Sequence, residues 1–134
     1  MKLSDGLQMT NAVIAGAFLI VAAIHLIPLI GVLGSEKLNQ LYGLSIADPN
    51  IEILMRHRAV LFGILGCLFG TAAFKRLLRP YALLAGFLSV VSFLVLTRII
   101  SDYGEGIQKI VIADYVALVA LVLAAVAMAV PKRG

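Results

Sequence analysis

Four runs of mostly apolar residues divide this chain, and each is long enough to cross a hydrocarbon layer of roughly 30 Å, which takes about 20 helical residues. With 62% hydrophobic residues, 13% charged residues and a mean hydropathy of +1.06, the surface would not dissolve in water. In lipid every backbone polar group must be satisfied within the protein, so only helices or a closed barrel can span. Runs this long and continuous specify helices. The reading is therefore an all-α, up-and-down four-helix membrane bundle, with residues 1–134 forming one domain. No small-residue cleavage site follows the first run, so it reads as a retained span rather than a removable signal peptide.

The spans are expected at about 11–33, 54–74, 80–100 and 107–130. Pro28 lies in the first, where it removes a backbone hydrogen bond and crowds the Ile24 carbonyl; a kink or early stop is expected there. Ser35 can cap a short amphipathic helix carrying Leu38, Leu41 and Tyr42 and ended by Gly43. Asp48-Pro49 is a helix start, with an acid at the N-cap and proline in the first turn, so the second helix should begin near Pro49. Its apolar part, Ala59 to Phe74, covers only about 24 Å at ~1.5 Å per residue, which pulls Arg56, His57 and Arg58 to the membrane edge.

Lysine and arginine in short loops stay on the cytoplasmic side. Lys2, Lys75, Arg76, Arg79, Lys132 and Arg133 face one acid, Asp5, on one side, a sum of +5; the other side sums to −1, giving the net +4. Both termini are accordingly expected in the cytoplasm of a bacterial inner membrane. The basic balance is then a topological signal and not a nucleic-acid footprint, because no basic stripe lies on a soluble face.

Placed at common depth, His25, Arg56, His57, Arg58, Arg98 and Asp114 gather in the outer part of the membrane. Charges there are costly, about 2.5 to 3.5 kcal/mol on insertion scales, so such residues normally face protein or water and pair. Arg56 shares a helical face with Ala59, Gly63, Gly66, Cys67 and Gly70, small residues that allow close helix approach. That face is expected inside the bundle, making Arg56 the partner of Asp114, with Arg98 as competitor. Arg58, on the face of Phe62, Leu65 and Phe69, is expected to look toward lipid and snorkel.

His25, Arg56, His57, Arg98 and Asp114 thus form the candidate ligand site, and Gly63, Gly66 and Gly70 the packing stripe. The chemistry it suggests is binding rather than catalysis: an amphiphile with an anionic head, a lipid or a quinone. A structural or accessory subunit of a membrane redox complex, docking a partner or a second copy, is the alternative. The two histidines differ in expected depth, which argues against a bis-histidine haem; the single Cys67 excludes a dithiol or Cys/His metal centre, and phosphate-binding glycine loops are missing. No cofactor or metal is called for.

The four-span plan, the Leu41-Tyr42-Gly43 element and Asp48-Pro49 leading into Leu54-Met55-Arg56-His57-Arg58 resemble the DoxX-like group of small bacterial inner-membrane proteins. The resemblance implies association with quinone or sulfur redox partners and carries over no catalytic residue.

Overall fold

Helix α1, Lys2–Leu26, runs on beyond its apolar part: the polar first decade is helical too, with Asp5 in the first turn, where a negative charge complements the helix dipole. At Pro28 the α-helical pattern stops, and Ile27–Leu33 continues as a 3-10 segment, the early stop that proline imposes. The structure, a computed structural model, describes residues 2–130, with side chains from Asp5 onward. Lys2, Lys132 and Arg133, which enter the charge balance, lie outside the described side chains.

After Gly34 the short helix α2, Ser35–Tyr42, lies across the end of the bundle with Leu38 and Tyr42 buried beneath it. Gly43 ends it in the left-handed conformation (φ +64°), with its N–H donating to the Asn39 carbonyl at 2.8 Å, a standard helix C-terminus. Asp48 caps α3, Pro49–Phe74, by accepting from the Asn50 N–H at 2.8 Å. A 3-10 turn, Arg76–Leu78, leads into α4, Arg79–Ile99; the chain reverses through residues 100–104 into α5, Glu105–Ala129. These five helices contain no strand among the described residues, and four of them are long and apolar enough to cross a membrane. The chain is a multi-pass helical membrane bundle.

Helix α1 packs most extensively on α3 and α5, and α4 closes the ring against α5 and α3. The bundle has two ends. The cap end carries α2 and the 100–104 loop; the basal end carries the Arg76–Leu78 turn.

The glycines of α3 divide its surface in a way that helical periodicity leaves open. A Cβ at Gly63 would lie 2.7 Å from Leu29, and one at Gly66 would lie 2.6 Å from Leu26; Gly70 meets only Ala22, at 4.0 Å. The stripe therefore seats α1 and its 3-10 extension, as small residues at a helix contact do. It does not face the bundle centre. That position belongs to the other face, where Phe69 is fully buried and Phe62 and Leu65 are partly buried. The expectation that Phe62, Leu65 and Phe69 meet lipid is corrected: large side chains fill the wide centre, whereas small ones mark the closest approach of two backbones.

Candidate functional site

Two consequences follow for the arginines. Arg56, on the glycine face but one turn above the contact, is exposed; its Nε donates to the Val32 carbonyl at 3.0 Å and its Nη1 pairs with Glu52 at 3.2 Å. It is neither buried nor the partner of Asp114. Arg58 points inward instead. Its Nη1 donates to the Tyr42 hydroxyl at 3.0 Å, and its Cζ lies 4.7 Å from the Phe62 ring centroid, 5.4 Å from Tyr42 and 6.0 Å from Phe93. The guanidinium thus sits in an aromatic cage, and cation–π attraction is strongest where water is excluded. A snorkelling role for Arg58 is overturned, because the aromatic face that holds it is interior.

Asp114, from α5, is 6% exposed. Among the described residues it makes no ion pair within 4.0 Å, the only such pair being Arg56–Glu52. No protein hydrogen bond to its carboxylate is present among the described residues, yet no side-chain oxygen of a buried group is both unbonded and sealed from a water-sized probe. The carboxylate oxygens are therefore not fully sealed from solvent. Arg58 is the basic group whose charge reaches it. The expected partners are elsewhere: Arg56 holds Glu52, and Arg98 donates from Nη2 to the Tyr115 hydroxyl at 2.8 Å.

A second layer lies nearer the membrane centre. His25 of α1 is 1% exposed; its Nδ1 donates to the Val21 carbonyl at 2.9 Å, which assigns the proton to Nδ1 and leaves Nε2 to accept from the Ser89 hydroxyl at 3.2 Å. Its ring stacks on Phe62 (5.3 Å between centroids) and meets the edge of Phe69 (4.8 Å). Both nitrogens have partners and the ring is buried between two aromatic neighbours, so it is held in place as a wall. His57 is exposed and joins none of these contacts.

Of the residues proposed from sequence, the structure brings His25 and Asp114 to the interior of the cap half and leaves Arg56, His57 and Arg98 on the surface. Tyr42, Ser89 and Arg58 complete the interior set. The i,i+4 pair Arg58–Phe62 was the available signal, since a cation and an aromatic ring at that spacing share a face.

Glycine also fixes where α2 sits. A Cβ at Gly106 would collide with the Tyr42 carbonyl and lie 2.9 Å from the Gly43 nitrogen, so only glycine lets the end of α2 rest on the start of α5. This contact seats the end of α2, with Tyr42 and its partner Arg58, on the start of α5, about two turns before Asp114. No group of three or more His, Cys, Asp or Glu residues suited to a metal occurs among the described residues. Comparison with family models, curated proteins and solved structures gave no match.

Proposed function

We propose that this protein is a membrane-embedded binding bundle that holds the head of an amphiphile, of lipid or quinone type, between Arg58 and Asp114 beneath α2. The observation that carries the reading is Asp114: a carboxylate 6% exposed, without a hydrogen-bond donor among the described residues and with its oxygens not fully sealed from solvent. An unpaired buried charge costs several kcal/mol, so its retention at this depth calls for an occupant that supplies a donor. Arg58, bonded through Nη1 to Tyr42, has further N–H groups that require acceptors. A head carrying both a hydroxyl and a carbonyl or second hydroxyl oxygen satisfies the two sides at once, donating to Asp114 and accepting from Arg58. A purely anionic head fits poorly, because Asp114 would repel it.

Phe62, partly buried and backed by His25 and Phe69, is the aromatic surface against which an apolar ring or the first part of a tail would rest. The four-span plan and the resemblance to DoxX-like proteins favour a bacterial inner-membrane setting with quinone-type chemistry. The charge asymmetry favours cytoplasmic termini, which would put the cap end in the outer leaflet.

The test is the small-molecule content of purified protein, extracted gently and measured by mass spectrometry for the wild type, Asp114→Asn, Arg58→Gln and Arg56→Gln. Wild type and Arg56→Gln should retain one specific amphiphile, and the other two variants should lose most of it. Wild type carrying nothing specific, or equal retention by all four, would reject the reading in favour of a structural or accessory subunit.

A further inference from the structure

Between α4 and α5, on the outside of the bundle, an open groove of about 330 Å³ runs down from the cap end. Its floor and walls are Val91, Leu94, Val95 and Leu118, and its upper rim is Arg98 with Tyr115. We propose that this groove is a binding site for an anionic phospholipid of the leaflet bordering the cap end, with the headgroup phosphodiester on Arg98 and one acyl chain in the apolar channel below.

Three observations support this site independently of the Arg58–Asp114 reading. First, charge complementarity: Arg98 is exposed, has no acidic partner within 4.0 Å among the described residues, and is held in place by donating from Nη2 to the Tyr115 hydroxyl. One of its five donors is thereby used, and the planar fork keeps others for the two phosphate oxygens, which it matches bidentately. Second, depth: Arg98 lies in the last turn of α4, and Tyr115 beside it has the apolar body and polar tip favoured at the headgroup level. Third, shape: from Arg98 to Val91 the groove descends two helical turns, about 10 Å at ~1.5 Å per residue, toward the membrane centre. An acyl chain follows that direction, and Val91 and Val95 are exposed along it.

The probe is phosphatidylglycerol against phosphatidylcholine. The full chain is reconstituted in nanodiscs containing equal amounts of the two, and the lipids that remain bound are counted by native mass spectrometry. Wild type should retain phosphatidylglycerol preferentially. Arg98→Gln should weaken that retention about tenfold, as expected for loss of one charge-assisted contact. Tyr115→Phe should lower it less, because only the guanidinium's positioning is lost. Arg56→Gln removes an equal charge at the same end and should leave retention unchanged. Equal retention by Arg98→Gln and wild type would overturn the proposal, as would equal loss in Arg56→Gln, which would mean diffuse surface charge. A dimer that dissociates in Arg98→Gln while phosphatidylglycerol retention is unchanged would assign the groove to a second copy and overturn it too. Loss of the extracted amphiphile in Asp114→Asn with normal phospholipid retention would leave this site standing.

Discussion

The two ends of the bundle each bury polar groups, and they treat them in opposite ways. At the basal end Arg79 is 6% exposed, yet each of its three nitrogens is engaged: Nε donates to the Ala72 carbonyl at 3.2 Å, Nη2 to Ala73 at 3.1 Å and Nη1 to the Asn11 side-chain oxygen at 3.1 Å. Ala72 and Ala73 are in the last turn of α3, where carbonyls lack helical partners and the dipole is negative, so one cation satisfies both needs. At the cap end Asp114 is equally buried and has no protein partner among the described residues. A buried charge that its own fold satisfies is a fastener; one left open is, on the proposal above, a site. Substitutions at the two ends should therefore separate stability from binding.

The largest loss of stability is expected at the fastener. Arg79→Ala removes three charge-assisted bonds and leaves two buried carbonyls and Asn11 without their donor, an effect of about 4 kcal/mol in unfolding of the detergent-solubilised protein. Arg79→Lys should recover only part of it, since an ammonium cannot span all three acceptors in the same geometry. If Arg79→Ala unfolds within about 1 kcal/mol of wild type, the basal cation is not holding α1, α3 and α4 together.

Next comes His25, which belongs to the cap half but is satisfied in the manner of Arg79. His25→Ala opens a void between Phe62 and Phe69 and frees the Ser89 hydroxyl, for about 2 to 3 kcal/mol of destabilisation. His25→Phe keeps much of the volume but not the Ser89 bond, and should fall between. Thermal melts of the three proteins decide this; a His25→Phe variant as unstable as His25→Ala would shift the weight from packing to the hydrogen bond.

Asp114 should respond in the reverse sense. Asp114→Asn removes a buried unpaired charge while keeping shape, so ligand-free protein should be unchanged or more stable by up to about 1 kcal/mol, while bound amphiphile is lost. A marked destabilisation in protein stripped of bound small molecules would mean that the carboxylate has an internal structural role, and the contrast between the two ends would fail.

How much of this was legible follows from which physical signal fixes each feature. Span lengths depend on bilayer thickness, and end signals are local, so the four helices, the Pro28 transition, the Asp48 cap and the Gly43 stop were all readable. So was the gathering of His25, Arg58 and Asp114 in the same half of the bundle, because rise per residue is constant. Helix rotation was not. In a soluble helix the polar face marks the outside, but in lipid both faces of α3 are apolar, and glycine beside phenylalanine leaves the inward direction undecided. Arg56 and Arg58 changed places for that reason. Arg79 was read only as a loop charge, since two of its three acceptors are main-chain carbonyls, which no sequence pattern displays. The ends of the spans shifted by less: α1 starts well before Asn11 because polar residues can extend a helix beyond the membrane.

The smallest expected effect tests the same rotation. Arg56 is an exposed residue whose ion pair with Glu52 spans i,i+4, with side chains 47% and 31% exposed, and whose Nε reaches the Val32 carbonyl. Exposed pairs of this spacing contribute about 0.3 to 0.5 kcal/mol, and acid before base is the favourable order on a helix. Arg56→Ala should therefore cost no more than about 0.5 kcal/mol for the pair, with a comparable amount for the carbonyl bond that water can replace. Arg58→Ala, two residues on, empties an aromatic cage and strands the Tyr42 hydroxyl, and should cost about 2 kcal/mol while loosening α2 over the site. Amide hydrogen exchange along Ser35–Tyr42 reads that difference directly: protection should persist in Arg56→Ala and fall in Arg58→Ala. Equal protection in both, or loss in Arg56→Ala alone, would restore the glycine face to the bundle centre and move the site to the other arginine.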